Sequence, residues 1–341
     1  MTVEQSISGK RLIFTAPKVA ELQTVETPPP GAGQIRCHTL VSMISVGTET
    51  ICYERNVDPG SHWDNWIKYP FEPGYLSVGE VLDVGEGVTQ YKPGDRICSY
   101  APHREYFIDS AETVFRAPEG VAPELAAWFQ LNVIAQNGIR EVAPVFGETA
   151  VVVGLGPLGQ LAVRILGLAG MAHLIALDPA EHRCALARGN GPTQVWSEAA
   201  TPEVVARVKE LTGGAGADMV FDITGNPKVF HAAHAMLRKR GRLGMIGDVP
   251  KPSAQSMSGA AMEHSIKISF AHGSTPPYRG NAYYRWGKAD MNEFFYEMVR
   301  QGRIRLEGLV THRIVPEEAP PCYADLIKNR AAYMGVSIRW K

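Results

Sequence analysis

Glu148-Thr-Ala-Val-Val-Val-Gly154-Leu-Gly156-Pro-Leu-Gly159-Gln-Leu-Ala-Val-Arg-Ile-Leu-Gly-Leu-Ala-Gly-Met-Ala-His173-Leu-Ile-Ala-Leu-Asp178 is the stretch that decides the fold. Residues 150–153 are apolar and β-branched, the composition of a parallel strand buried on both faces. Gly154, Gly156 and Gly159 follow in G-x-G-x-x-G spacing, with Leu155, Pro157 and Leu158 filling the loop. The first glycine permits a tight turn and the second lets the backbone approach a pyrophosphate. The third lets the next helix pack close to the strand. Leu158, Leu161, Ala162, Ile165 and Leu166 then recur at helical spacing. A helix starting here aims free N–H groups and a positive dipole end at phosphates. A second strand, residues 173–177, ends in Asp178, whose carboxylate suits a ribose 2′-hydroxyl and repels a 2′-phosphate. Strand, loop, helix and acid together predict a site for NAD(H) rather than NADP(H). The competing reading is a glycine-rich turn that binds nothing.

The chain has 341 residues and a formal net charge of −1, enough for two domains and without an electrostatic case for nucleic acid or an anionic membrane. No apolar run approaches the ~20 residues that span a bilayer. The first ten residues lack the basic-then-apolar pattern of a secretory signal. Cys37, Cys52, Cys98, Cys184 and Cys322 are scattered, odd in number and without a C-x-x-C pair. They read as reduced thiols of a cytoplasmic protein rather than a disulfide framework or a zinc ribbon.

Outward from the glycine loop the texture changes twice. Residues 11–125 are rich in turns and strands, with expected strands at 34–40, 79–84 and 97–100 and a strong turn at Lys92-Pro93-Gly94-Asp95-Arg96. This predicts a compact, antiparallel, barrel-like module. Residues 124–140 read as one helix. Beyond Asp178, helices at 181–188, 202–212 and 229–237 alternate with strands at 194–196, 219–222, 242–246 and 266–271, the pattern of a doubly wound parallel sheet. After residue 275 the pattern reverts: a helix at 289–301, strands at 309–313 and 334–340, and a helix at 317–329 between them. The fold class is α/β, a Rossmann-type parallel sheet (126–275) inserted in a β-rich domain built from both ends of the chain (1–125 and 276–341).

That interrupted order resembles the medium-chain dehydrogenase/reductase superfamily of the alcohol dehydrogenase type, in which the β-rich domain is GroES-like and catalytic. Ser45-Val46-Gly47-Thr48-Glu49 is similar to the family's Cys-Gly-Thr-Asp segment. Residues 73–81 resemble its Gly-His-Glu segment, Gly94-Asp95-Arg96-Ile97 its Gly-Asp-Arg-Val turn, and residues 222–226 the Asp-x-x-Gly segment on the nicotinamide side. The departures carry as much information. The three catalytic-zinc positions fall at Val46, Tyr75 and, by spacing, Gln130. Valine has no donor atom, and Tyr and Gln are poor zinc ligands beside thiolate, imidazole or carboxylate. The four-cysteine structural zinc lobe expected after Arg96 is missing. A site rebuilt from Cys37, His38, Cys52 and His103 is opposed by Cys37 and His38 being neighbours on a strand, on opposite faces. The expectation is therefore no metal. The wording of these segments looks most like a zinc-lacking subgroup that includes bacteriochlorophyllide hydroxyethyl dehydrogenases and sugar-modifying relatives, although Leu76 departs from it.

Hydride transfer belongs to the nicotinamide. Without zinc as Lewis acid, a hydrogen-bond donor must stabilise the developing alkoxide. The resemblance puts Thr48 at the family's proton-relay hydroxyl and Tyr75 at a former metal position, where its phenol can donate. Glu49 and His103 are candidates for carrying the proton to solvent. The plainer readings are a packed tyrosine, a turn threonine bonding its own backbone, a glutamate paired with an arginine, and a surface histidine. On the cofactor side, Arg183 is placed to reach the adenosine ribose, or is a solvated helix charge. Thr224, Gly247 and His272 fall at strand ends where such folds bind ligands. Residues 53–69, with Tyr53, Trp63 and Trp66, and residues 278–286, with Tyr284, mix aromatic and polar side chains near the expected cleft. With Gln130 they suit a polyhydroxylated ring, or else form a lid whose tryptophans pack internally. The resulting expectation is an NAD(H)-dependent, zinc-independent enzyme interconverting a secondary alcohol and a ketone on a polar cyclic small molecule. The rivals are a quinone or enoyl reductase and a non-catalytic NAD-binding sensor. The family resemblance implies a homodimer paired through the strand at 266–271.

Overall fold

The computed structural model describes residues 5–247 and 249–340. The chain forms two compact units, Met1–Gln130 with Glu307–Lys341, and Leu131–Leu306.

The first unit begins with a hairpin, β1 (Ile7–Ala16) and β2 (Val19–Thr27), in antiparallel register from Ile7 opposite Thr27. Then come β3 (Gln34–Ile44), α1 (Val46–Glu54), α2 (His62–Trp66), β4 (Ser77–Val84), β5 (Arg96–Ser99), β6 (Tyr106–Ser110), β7 (Phe115–Arg116) and α3 (Pro123–Ala126). β3 organises the unit by serving three partners. Its first half pairs with β6, its last residues with the C-terminal strand, and its other edge with β4. Register shifts at Arg36/Cys37 and Thr39/Val41 bend it enough to do so. Leu12, Phe14, Ile44, Tyr53, Trp63, Tyr323, Val336 and Ile338 form one core, and Ile35, Val81, Ile97 and Phe107 a second.

The second unit carries α4 (Phe129–Val142), β8 (Thr149–Val153), α5 (Pro157–Leu166), β9 (His173–Leu177), α6 (Glu181–Ala187), β10 (Gln194–Trp196), α7 (Pro202–Leu211), β11 (Ala217–Asp222), α8 (Pro227–Met236), β12 (Leu237–Met245), α9 (Gly259–Glu263), β13 (Lys267–Phe270) and α10 (Lys288–Arg300). The six strands are all parallel, in the order β10-β9-β8-β11-β12-β13. Counted within the unit this is 3-2-1-4-5-6, the doubly wound dinucleotide-binding order with its switch point between β8 and β11. Back in the first unit, β14 (Val310–Ile314), α11 (Ala319–Leu326) and β15 (Gly335–Arg339) close the chain, and β14 and β15 form a parallel pair in an otherwise antiparallel sheet.

The structure departs from the sequence reading in places. The helix expected over 124–140 is two helices, α3 and α4. Residues 276–306, expected with the β-rich domain, belong to the second unit. There Asn132 Nδ2 donates to Asn292 Oδ1 (2.9 Å) and Gln136 Nε2 to the Met291 carbonyl (2.7 Å), tying α10 to α4. The strand expected at 242 starts at Leu237. The apolar stripe of α5 proves to be a helix buried throughout, from Gly159 to Leu166. Its two polar residues are satisfied internally, with Arg164 donating to Gln160 and to the Leu186 and Arg305 carbonyls. No helix among the described residues is long and apolar enough to cross a membrane.

Candidate functional site

In the second unit every residue expected to hold a cofactor lies at the carboxyl end of the parallel sheet. β8 is wholly buried and runs into Gly154 at φ +98°, a conformation that a side chain disfavours. A Cβ at Gly154 would lie 2.8 Å from the Thr224 methyl, and one at Gly159 only 1.9 Å from the Gly154 carbonyl oxygen. A Cβ at Gly156 would meet only Arg183 Nη1, at 4.0 Å. Two glycines thus pack the turn against β11 and α5, and the middle one leaves an open approach at the start of α5. Pro157 takes the first helical position there, and no side chain caps the helix.

Asp178 ends β9 and ties the loop together. Its Oδ2 accepts from Leu155 N–H (2.8 Å), its Oδ1 from Ala180 N–H (2.8 Å), and Arg183 Nη1 lies 3.6 Å away. Each carboxylate oxygen keeps a further acceptor site for a hydroxyl. At the end of β11, Asp222 Oδ1 accepts from both the N–H and the hydroxyl of Thr224 (2.8 and 2.7 Å). Burial pushes the Asp222 carboxyl above the usual range, and its Oδ2 has no hydrogen-bond partner among the described residues. Gly247 donates its N–H to the Asp222 carbonyl (3.1 Å), where a Cβ would strike Ile223 at 2.6 Å. His272, beyond β13, is exposed, with Nδ1 2.6 Å from Ser274 Oγ.

In the first unit a cluster of hydroxyls forms where α1 starts. Ser45 precedes the helix, and its Oγ lies 2.6 Å from the Tyr75 hydroxyl, with Thr48 Oγ1 at 3.4 Å from the same atom. Burial pushes the Tyr75 phenol up to about 12, against the opposing hydrogen bonds of Ser45 and Thr48. Glu49 is 1% exposed and His103 0%, so the loop histidine expected at the surface is enclosed. His103 Nε2 lies 3.0 Å from Glu49 Oε2 and its Nδ1 2.7 Å from Ser42 Oγ. Its slot is narrow: a Cβ at Gly74 would fall within 2.9 Å of the His103 ring.

The aromatic substrate candidates divide. Tyr53 and Trp63 are each 3% exposed and sit in the core with Phe14 and Tyr323. The Tyr53 hydroxyl donates to the Lys18 carbonyl (2.7 Å). Both are corrected to core residues, because packing leaves them no free face. Trp66 is 51% exposed, edge-on to Phe71. Tyr284 is also exposed, on a turn held by Asn281. Gln130 is buried, its Oε1 accepting from the Tyr100 hydroxyl (3.0 Å). Sequence reasoning missed Tyr323, Ser42 and Trp340, which complete the surroundings of Glu49 and His103. No local signal marks them, since Tyr323 lies 274 residues from Glu49.

The donor set at the three zinc positions does not fit the metal. Val46 offers no atom, Tyr75 is held protonated among hydroxyls, and the Gln130 oxygen is engaged by Tyr100. Among the described residues no group of three or more His, Cys, Asp or Glu is placed to hold a metal ion.

Comparison with known proteins gives a dehydrogenase-type oxidoreductase. The family model described as "Zinc-binding dehydrogenase" matches residues 157–283, within the second unit and short of positions 46, 75 and 130. The chain is 26% identical over 352 residues to D-guloside 3-dehydrogenase of Escherichia coli, covering 96% of this chain and 99% of the relative. It is 24% identical over 330 residues to L-threonine 3-dehydrogenase of Thermococcus kodakarensis, covering 86% and 87%. The crystal structure of 2R,3R-butanediol dehydrogenase from Bacillus subtilis superposes with a TM-score of 0.79 at 21% identity, over 97% of this chain and 99% of that one. These similarities support an oxidoreductase of the alcohol dehydrogenase type, within the medium-chain dehydrogenase/reductase superfamily.

Proposed function

We propose that this protein is an NAD(H)-dependent oxidoreductase that interconverts a secondary alcohol and a ketone without zinc, on a polar, cyclic, sugar- or cyclitol-like molecule. The observation that carries the reading is the Tyr75–Ser45–Thr48 hydroxyl cluster, at a position where the family resemblance implies a zinc ligand. A bound nicotinamide would supply or take up the hydride. The protein's part is to hold that cofactor and manage one proton. The glycine turn leaves room for a pyrophosphate at Gly156, and the Asp178 oxygens would be free to accept from ribose hydroxyls and to disfavour a 2′-phosphate. A phenol held up near 12 keeps its proton at neutral pH. It can therefore donate to a carbonyl oxygen as charge develops there, with the Ser45 hydroxyl next in line to return the proton. The similarity to a guloside dehydrogenase supports a polyhydroxylated ring, and half-exposed Trp66 offers an apolar face for one. A cytoplasmic homodimer is part of the proposal, paired through the edge strand β13 with its exposed Phe270.

The test combines metal analysis with kinetics. Protein purified without chelator should hold well under one zinc per chain, and stoichiometric zinc would sink the mechanism. A screen of cyclic polyols and ketones against quinones and enones, followed by NADH absorbance, identifies the reaction class. On the best alcohol, Tyr75→Phe should lower kcat about 100-fold with NADH affinity intact. Full activity in that variant would return Tyr75 to a packing role.

A further inference from the structure

Glu49 holds a carboxylate deep in the first unit, and elements far apart in sequence converge on it. A carboxylate at 1% exposure must be met by donors. It has three: Ser45 N–H on Oε1 (2.8 Å), and His103 Nε2 (3.0 Å) and the Tyr323 hydroxyl on Oε2. An ionised carboxylate only accepts, so His103 Nε2 is the donor, and Nδ1 is left to accept from Ser42 Oγ–H. Ser42 Oγ accepts in turn from Trp340 Nε1–H (2.9 Å). β3, α1, the loop before β6, α11 and the residue after β15 thus contribute one member each to a satisfied network.

The consequence appears at Ser45. Glu49 returns its own N–H to the Ser45 carbonyl (2.8 Å) while its side chain holds the Ser45 N–H. The first turn of α1 is clamped from both sides, and that turn carries the two hydroxyls facing Tyr75. We infer that Glu49, His103 and Tyr323 are positioning residues. They fix the turn bearing Ser45 and Thr48, and through it the direction in which Tyr75 presents its hydroxyl. This rests on the reading of Tyr75 as the donor. It replaces a route for the proton to solvent through Glu49 and His103, both of which are enclosed.

The test uses full-length protein and two readouts. Tyr323→Phe keeps the ring against Phe14 and Tyr53 and removes one donor from Glu49. Hydrogen exchange at the Ser45 amide should quicken about tenfold, the scale of one hydrogen bond to a charged group, while amides of β4 and β5 hold their rates. Unchanged exchange at Ser45, or equal quickening across the unit, would overturn the inference. If Tyr323→Phe does not fold, the His103 pair decides. His103→Gln can keep an N–H donor at the Nε2 position and should exchange like the parent, whereas His103→Asn should not. On the alcohol found in the screen, Tyr323→Phe should lower kcat about tenfold with KM for alcohol and NAD unchanged. A rise in KM alone would count against positioning. Activity retained in Tyr75→Phe beside altered exchange in Tyr323→Phe would remove the donor and leave the clamp. The opposite pair of results would remove the clamp and leave the donor.

Discussion

The two units solve the same problem, holding polar groups at a site, by opposite means. In the nucleotide-binding unit the site is local: Gly154, Gly156, Gly159 and Asp178 span 25 residues, and backbone geometry does most of the holding. In the β-rich unit it is global: Ser42, Glu49, His103, Tyr323 and Trp340 are brought together across separations of up to 298 positions. A site written in backbone is exact and intolerant of change.

Comparing one glycine from each unit probes that difference where the effect is largest. Gly159→Ala puts a methyl 1.9 Å from a backbone carbonyl that cannot rotate away. It should cost about 3 kcal/mol of stability and abolish NADH binding, read by chemical denaturation and by NADH fluorescence. Gly47→Ala, in the Ser45–Glu49 segment, meets only a guanidinium nitrogen at 3.6 Å and lies in α1. It should change stability by under about 1 kcal/mol and in the stabilising direction. Equal costs would mean that the two motifs are not held differently.

Next come the tryptophans of the first unit. Trp63→Ala empties a core position and should cost about 3–5 kcal/mol. Trp66→Ala, at 51% exposure, should leave stability within about 0.5 kcal/mol and raise KM for a cyclic polyol severalfold. A stability loss as large as that of Trp63 would make both residues structural.

These contrasts explain what the sequence made legible. The strand–helix alternation, the turn glycines and the acid at the end of β9 follow from periodicity and spacing, because neighbours along the chain decide them. The division of the aromatic stretch into core Tyr53 and Trp63 and exposed Trp66 does not, because composition is the same on both sides of a short helix. The remote partners of Glu49 were equally hidden. His103 lies 54 positions away and Tyr323 274, and no local pattern records either contact.

Asp178→Asn sharpens the first half of the comparison. The amide oxygen can still accept from Leu155 N–H, so the loop stays closed, but the charge is gone. The ratio of NADPH to NADH affinity should rise about tenfold, measured by direct titration of both nucleotides. An unchanged ratio would assign Asp178 to loop closure alone and remove its part in selecting the cofactor.

The smallest effect separates two buried histidines, one in each unit. His103 is bonded through both ring nitrogens. His234, on α8, accepts from Ser258 N–H at Nδ1 (3.3 Å), while its Nε2 finds no partner among the described residues. Burial, and then the neighbouring His231, hold its pKa below the ordinary histidine value of 6.5. The unfolded chain therefore takes up the proton first as pH falls through about 6.5. Stability tied to neutral His234 is complete above that pH and declines as pH drops toward the folded value. Carboxylates whose pKa is lowered, such as Asp290 and Glu297, act further down the scale and leave this window to histidine. Between about pH 7.5 and pH 5.5 the thermal midpoint should fall, and His234→Asn, which keeps an acceptor for Ser258, should fall less. An identical pH slope in the two proteins would show that the enclosed ring of α8 is not what acid attacks first.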